Sequence, residues 1–309
     1  EITTRLVGSE MCIRDSPSII SMLVMSLYNI VDQIFIGQCV GELGNAATNV
    51  AFPFTTLCIA TALAFGIGGA SGFNLNLGAG EKEKAPYFIG VSASMMFIIG
   101  VVLSVVGLTA LKPLLLFFGS TDTVLPYAME YTKYLALGFP FAIISSGGSH
   151  LVRADGSPKF SMACNLVGAI VNVILDYLFV MVFNWKMAGA AIATVIGQIL
   201  ASIMVIWYLI HFKTIKLHGK HFVPQLKIVG RTVHLGMAQC LNQLAIMFVQ
   251  VVMNKSLTYY GALSPYGADI PLACTGIVMK VNQVYFSICI GVAQGIQPIA
   301  SFNLSLIHI

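Results

Sequence analysis

Two acidic residues stand apart because they lie deep within long apolar runs. Asp32 follows Tyr28 by four residues and Asp176 follows Asn172 by four, so each acid shares a helical face with a polar neighbour. A carboxylate at the centre of a bilayer costs about 2.5–3.5 kcal/mol on insertion scales. A pair of acids in such surroundings is typical of a site that binds a proton or a metal cation.

Three apolar runs each carry a narrow polar stripe, with side chains close together at about 100° per helical residue. The stripes consist of Ser21, Tyr28 and Asp32; Asn165, Asn172 and Asp176; and Thr194 with Gln198. Hydrogen bonds between helices, worth roughly 0.6 kcal/mol each, are the alternative explanation and suffice for Asn, Thr and Gln. They explain two carboxylates poorly, since no basic residue lies at comparable depth in these runs. The pattern therefore favours a cation or proton site.

The composition places these acids in a membrane protein. Of the 309 residues, 57% are apolar and 9% are charged, whereas a soluble domain has roughly 25% charged residues. The mean hydropathy is +0.87. These values exclude soluble enzymes, nucleic-acid-binding proteins and disordered chains. No nucleophile–base pair, metal-ligand spacing or cofactor motif is recognisable, so we expect neither an enzyme nor a bound cofactor.

Eight runs are long enough to cross a membrane, which takes about 20 mainly apolar residues. They cover residues 17–38, 47–77, 86–111, 124–151, 159–184, 188–212, 230–257 and 269–302. Three of the alternate connecting loops carry nine Lys or Arg residues, against three on the opposite side. The excess of basic residues predicts that the former loops and the N-terminus are cytoplasmic.

The two ends of the chain do not match the rest. The string VGSEMCIRDS at 7–16 and the last six residues, LSLIHI, resemble translated sequencing-adapter DNA. We expect residues 1–16 and 304–309 to be non-native and leave them out of the fold prediction.

An internal repeat organises the spans. The string AFGIG at 64–68 resembles CIGVA at 289–293, and the spacing pairs the second span with the eighth. Six helices separate the matched elements, which predicts a parallel repeat. The expected fold is an all-α polytopic membrane protein with a six-helix N-lobe at 17–212, a basic loop at 213–229 and a partial C-lobe at 230–303.

At these residues the chain resembles the multidrug and toxic compound extrusion (MATE) family. The matching strings are YNIVDQIFIG at 28–37, FGIGGA at 65–70, GAGEKEKA at 78–85, RADGSP at 153–158, NVILD at 172–176, GAAIAT at 189–194 and GIQPIASFN at 295–303. The resemblance implies twelve helices in two lobes around a cavity, of which this chain holds eight. It also implies a monomeric antiporter of the bacterial cytoplasmic membrane that exports amphipathic, often cationic drugs in exchange for H⁺ or Na⁺.

The resemblance assigns roles to individual residues. It implies that the coupling cation binds at a network matching Tyr28, Asp32, Asn172, Asp176 and Thr194, with Na⁺ held by the last four if Na⁺ is the ion. Pro17 matches a proline implicated in bending of the first helix. The seventh span lacks the acid that one branch of the family uses in its C-lobe.

Further polar residues are candidates for the cavity wall. They are Gln198, Gln239, Gln243 and Lys280, although Lys280 fits a side chain that extends to the membrane surface equally well. His150, near the end of the fourth span, is expected at the membrane interface. A lipid-linked precursor flippase of the same superfamily and a non-transporting binding protein remain as alternative functions.

Overall fold

The structure is a computed structural model. It describes the backbone of residues 4–265, 267 and 269–307, and the side chains of residues 20–293 and 296 apart from 266, 268 and 280. The part of the chain so described contains helices and no strand. The α-helices are α1 (Thr4–Cys39), α2 (Glu42–Gly78), α3 (Ala85–Thr109), α4 (Leu111–Phe117), α5 (Leu125–Ala154), α6 (Pro158–Asp176), α7 (Lys186–Ile210), α8 (Leu226–Ala262) and α9 (Asp269–Ile307).

Eight of these helices are long and apolar enough to cross a membrane, with mean hydropathies of 1.4 to 2.4. They correspond one to one with the eight predicted spans, which confirms the predicted all-α membrane fold. The exception is α4, whose seven residues are too few to span a bilayer. It follows α3 after a break at Ala110 and lies almost entirely in the segment that the sequence placed between the third and fourth spans.

The start of α2 differs from the prediction because one glycine makes the turn that was assigned to a longer loop. Gly41 has φ +79°, a left-handed conformation that favours glycine, and α2 begins at once with Glu42. The acidic Glu42 also suits the positive end of the helix dipole. The segment 42–46 is therefore the first turn of α2 rather than a loop.

The ends expected to be non-native are helical where the structure describes them, since α1 begins at Thr4 and α9 continues to Ile307. A helical backbone does not bear on the origin of these residues, so their exclusion and the lobe boundaries remain predictions. The side chains of Pro17 and Lys280, to which roles were assigned, lie outside the described residues.

The packing of the helices follows the predicted repeat. Within the first lobe α5 packs against α2, α3 and α7, and α6 packs against α1 and α7. The second lobe joins the first because α8 lies along α2, and α9 along both α1 and α2. The repeat equates α1 with α8 and α2 with α9, so the α1–α9 contact is the counterpart of the α2–α8 contact. Two equivalent contacts between the lobes, related by the repeat, are the arrangement expected of a parallel repeat.

The α2–α8 contact depends on small residues. A Cβ atom added to Gly68 or to Gly236 would collide with a backbone carbonyl of the facing helix, at Thr232 and Ala64 respectively. The backbones of the two lobes therefore approach directly at this crossing, as small residues allow in membrane helices.

The loop between the lobes is fastened to the first lobe at two points. The Asp155 carboxylate accepts hydrogen bonds from the backbone N–H groups of Lys213 and Thr214, at 2.8 and 2.9 Å. Further along, a short 3₁₀ helix at Gly219–Phe222 packs on α3, where Ser94 Oγ donates to the Phe222 carbonyl at 2.7 Å. Its His221 ring is 5% exposed. The loop therefore follows the first lobe until it approaches α8.

Candidate cation and substrate site

A cavity of about 550 Å³ lies between the two lobes. Residues of α1, α2, α5, α6 and α7 line it on one side, and residues of α8 and α9 line it on the other. Its wall mixes apolar and aromatic side chains with hydroxyl, carboxamide and acidic groups. This combination suits a ligand that is apolar over most of its surface and polar at a few points.

The cavity meets the predicted cation network on the wall of the first lobe. Tyr28, Asp32 and Thr194 line the cavity, and Asp32 is only 4% exposed. Asn172 and Asp176 are not part of the wall, and their exposed fractions are 2% and 0%. The five residues thus form two layers, one facing the cavity and one behind it.

Close packing of α6 and α7 joins these layers. Gly168 and Gly197 face each other so closely that a Cβ atom on Gly197 would lie 2.7 Å from the Gly168 carbonyl oxygen. One turn beyond Gly168, Asn172 Nδ2 donates a hydrogen bond to Thr194 Oγ1 at 3.2 Å. The glycine pair therefore brings the second polar layer against the first.

The acids themselves lie near each other. The carboxyl groups of Asp32 and Asp176 are close enough for a direct electrostatic interaction, and Tyr28 is within the range of both. The Asn172 side chain lies beside Asp176, yet neither Asp176 carboxylate oxygen has a partner in hydrogen-bonding geometry. The Asn172 amide oxygen is likewise buried without a partner. Buried oxygens of this kind are costly and can be satisfied by a proton or a cation.

The structure adds Tyr131 of α5 to this network. Its side chain is 8% exposed, lines the cavity and lies within electrostatic range of both acids. The sequence held no signal for it, because the neighbouring Glu130 and Lys133 give this segment the polar character of a helix end.

The second acid also marks a change in helix geometry. Asp176 is the last residue of α6, and the chain continues as a π-helical turn at Tyr177–Val182. The sequence predicted one regular helix across this point. Short π-helical turns within helices are frequent at functional sites.

The opposite wall of the cavity is rich in carboxamides. Gln239 and Gln243 of α8 line it, and Gln198 of α7 adds a carboxamide on the wall of the first lobe. Asn242 and Gln283 line the opposite wall as well, although the sequence did not single them out. Asn242 lies three residues after Gln239, a spacing that keeps both on one helical face.

His150, which the sequence predicted at the membrane interface, lies on the cavity wall near the end of α5, and its depth in a membrane stays a prediction. It is 4% exposed and lines the cavity together with Arg153, which is 5% exposed. The fourth span turns both side chains inward because α5 is the most buried of the spans, at 78% of its apolar stretch. Basic groups therefore contribute to one region of the cavity wall.

The polar stripe of α8 has two separate surroundings. Gln239 and Gln243 face the cavity, whereas Gln250 and Asn254 are buried against Asn49 of α2. Gln250 Nε2 donates to Asn49 Oδ1 at 2.9 Å and to Asn254 Oδ1 at 3.0 Å. We call Asn49, Gln250 and Asn254 the amide cluster. It fastens the second lobe to the first, beyond the end of the cavity.

The described residues contain no group of three or more His, Cys, Asp or Glu side chains that could hold a metal ion. A cation at the network would instead rely on the carboxylates of Asp32 and Asp176, the Asn172 amide oxygen and the Thr194 hydroxyl. Carboxylate, carbonyl and hydroxyl oxygens are suitable ligands for a hard cation.

Curated relatives of the chain are multidrug export proteins. MepA of Staphylococcus saprophyticus is 25% identical over 288 residues, which cover 93% of this chain and 62% of that protein. MepA of Staphylococcus haemolyticus is 24% identical over 291 residues, with the same two shares. The chain thus spans about three fifths of the length of these relatives.

Solved structures show the same fold. The MATE multidrug transporter DinF-BH, in a complex with a ligand, has a TM-score of 0.90 and 28% identity, and the match covers 99% of this chain and 67% of that one. An outward-facing MATE family transporter has a TM-score of 0.80 and 22% identity over 96% of this chain and 67% of that one. The MatE family model matches residues 17–178, more than half of the chain. With its helices, its cavity and these matches in agreement, the chain belongs to the MATE family of efflux transporters.

Proposed function

We propose that this chain forms the N-lobe and the first part of the C-lobe of a cation-coupled antiporter that exports amphipathic, often cationic compounds. The observation that carries the proposal is the two-layered acid pair. Asp32 faces the cavity, and Asp176 lies behind it with both of its own carboxylate oxygens buried and without hydrogen-bond partners. The multidrug export function of the relatives supports the same activity.

The two layers define a path for the coupling ion. A proton or Na⁺ in the cavity reaches Asp32 and Thr194 first and then Asp176, since only the first two line the wall. Two like charges in a medium of low polarity repel each other strongly, so binding of a cation relieves the repulsion. A bound ion and a cationic drug would compete for Asp32, which links entry of one to release of the other.

Such binding can drive transport if the ion binds one arrangement of the lobes better than the other. A proton that crosses about 100 mV and one pH unit releases roughly 2.3 plus 1.4, or about 3.7 kcal/mol. At 1.4 kcal/mol per factor of ten, this sustains a concentration ratio of several hundred. The coupling ion in this proposal is H⁺ or Na⁺.

The cavity favours export of cations over the alternative of a lipid-linked precursor flippase. A pyrophosphate-bearing substrate calls for several Arg or Lys side chains, because phosphate groups bind to clusters of such residues. Among the described lining residues Arg153 is the single Arg or Lys, and Asp32 supplies a negative charge. A binding protein without transport would tolerate replacement of the acids.

The test is transport by the purified protein that contains this chain, placed in liposomes. Asp32→Asn keeps the shape of the side chain and removes its charge, and we expect drug-driven proton or Na⁺ flux to fall at least about tenfold, the effect of losing one charged contact. Glu130→Gln is the matched control, because Glu130 is an exposed acid of the same lobe outside the cavity wall. Undiminished flux in Asp32→Asn would contradict the proposal.

A further inference from the structure

One hydrogen bond joins α1 and α6 at a position that bears on the two acids. Asn165 Nδ2 of α6 donates to Ser21 Oγ of α1 at 2.5 Å. The two residues are 144 positions apart in the chain, and so are Asp32 and Asp176. Tyr28 and Asn172 show the same separation. A single offset therefore relates three pairs of polar residues on these two helices.

Helix geometry turns this offset into a spatial relationship. The first and fifth spans run in the same direction, because four further crossings separate their starting points. Asp32 lies eleven positions after Ser21, and Asp176 lies eleven positions after Asn165. In an α-helix, eleven positions correspond to a rise of about 16.5 Å and to a rotation of about 20° beyond three full turns. The π-helical turn begins only after Asp176, so the α-helical count holds over this interval. The Ser21–Asn165 pair and the acid pair thus lie on the same two faces, three turns apart.

The hydrogen-bonded pair is held firmly from other sides. Ser21 is 2% exposed and Asn165 is 9% exposed. Ser149 Oγ of α5 shares its proton between the Ser145 carbonyl at 2.8 Å and Asn165 Oδ1 at 3.2 Å, and Ser161 Oγ donates to the Ser149 carbonyl at 3.1 Å. Both ends of the Asn165 amide therefore have partners, which sets the orientation of its donor toward α1.

We propose that the Ser21–Asn165 pair sets the register between α1 and α6 and thereby holds Asp32 level with Asp176. A slip of one residue would move one acid by about 1.5 Å along the axis and by about 100° around it, to a different face. Ser21 and Asn165 are then positioning residues of the ion site, which they do not touch. The inference rests on the proposed coupling function for its consequence, but the register itself is a property of the fold.

A disulfide reporter measures the register directly. Cys39 Sγ, at the end of α1, lies 3.2 Å from Met181 Sδ, in the π-helical turn that continues α6. With Met181→Cys in the purified chain in lipid nanodiscs, we expect Cys39 to cross-link rapidly to the new thiol. Adding Ser21→Ala or Asn165→Ala should slow this cross-link about fivefold or more, because disulfides demand a narrow range of Cα separations.

Two further variants distinguish a change in the register between α1 and α6 from a general loss of stability. Ser202→Ala is the matched control, since Ser202 is a fully buried serine of the same lobe that bonds within its own helix. We expect it to cross-link like the parent. The exchange Ser21→Asn with Asn165→Ser keeps a donor and an acceptor at the contact, and we expect it to restore the rate lost in either single variant.

The consequence for the acids is measured by infrared absorption of protonated carboxyl groups as a function of pH. Moving two like charges apart by a few Å at low polarity changes the titration midpoint by about one pH unit. We expect this shift in Ser21→Ala and Asn165→Ala, and none when Asn165→Ala is added to Asp32→Asn.

The results distinguish this proposal from the coupling function. Unchanged cross-linking in both single variants overturns the register role, and slower cross-linking with an unchanged midpoint overturns the positioning role. Failure of the coupling function appears separately, as undiminished flux in Asp32→Asn, and leaves the cross-linking result intact.

Discussion

The amide cluster and the acid pair are both buried between helices, but their polar atoms have different surroundings. In the amide cluster all three side-chain nitrogens donate, Asn49 Nδ2 to the Leu272 carbonyl at 3.0 Å and Asn254 Nδ2 to the Asn49 carbonyl at 3.5 Å. The Asn49 and Asn254 amide oxygens accept hydrogen bonds, and the neutral Gln250 amide oxygen is buried without a partner. In the acid pair, both carboxylate oxygens of Asp176 are buried without a hydrogen-bond partner.

This difference separates two uses of buried polarity. A hydrogen-bonded polar group adds to stability, whereas a buried acceptor without a partner costs free energy of folding. At Asp176 the buried acceptors belong to an acid, whose charge a proton or a cation can neutralise, whereas the amide cluster carries no charge. We therefore expect substitutions in the amide cluster to lower stability, and substitutions in the acid pair to lower ion binding.

The largest effect is expected for Asp176→Asn. The variant removes the buried charge, and we expect binding of the coupling ion to weaken by roughly 10- to 100-fold, the cost of one charged contact. The melting temperature should rise or stay unchanged, because the amide is cheaper to bury than a carboxylate. Melting temperatures measured with and without Na⁺ and across pH report both stability and ion binding, because a bound ion raises the melting temperature. A fall in melting temperature with intact ion binding would show that the acid pair, like the amide cluster, serves stability rather than ion binding.

The second effect concerns the amide cluster. Asn254→Ala removes one of the two acceptors of Gln250 Nε2 and one of the two acceptors of Asn49 Nδ2. Because each lost hydrogen bond costs about 0.5–1.5 kcal/mol, we expect a loss of about 1–3 kcal/mol of stability. The ion-dependent shift of the melting temperature should remain that of the parent. Gln239→Ala, on the same helix but in the cavity wall, is the control expected to keep its stability. Weakened ion binding in Asn254→Ala, at unchanged stability, would show that the two regions act together.

The smallest effect is expected at a polar group outside the membrane spans. Burial lowers the pKa of His221, with further contributions from the charges of Lys220 and His218. Its Nδ1 accepts the His218 backbone N–H at 3.0 Å, which a protonated ring cannot do. The folded loop therefore favours the neutral ring. The contribution of the neutral His221 ring to the stability of the fold is complete above the ordinary pKa of about 6.5. This contribution is lost as the pH falls through the lowered pKa of the folded state.

Hydrogen exchange of residues 215–222, corrected for intrinsic rates, checks this dependence. We expect protection to decrease below about pH 6.5 in the parent. His221→Phe keeps a ring against Tyr87, which contacts His221 at 4.7 Å between ring centroids, and it should show no such decrease. Equal pH dependence in both proteins would exclude the histidine as the cause.

The sequence was most informative where a residue type is expensive in its surroundings. Asp32 and Asp176 were identifiable because carboxylates are rare in apolar spans, and the i,i+4 spacing supplied Tyr28 and Asn172. Tyr131 was not identifiable, since a tyrosine near a helix end is unremarkable. Asn49 was missed because one amide in a span gives no indication of which helix faces it.

The sequence by itself determined the eight spans, the repeat and the presence of acids at membrane depth, because hydropathy and helical periodicity act locally along the chain. The tertiary structure alone decided which polar residues meet. It divided the α8 stripe between the cavity and the amide cluster, turned His150 inward and placed Asp176 behind Asp32. These outcomes depend on contacts between helices distant in sequence, whose rotation and register are set by packing at positions such as Gly168 and Gly197.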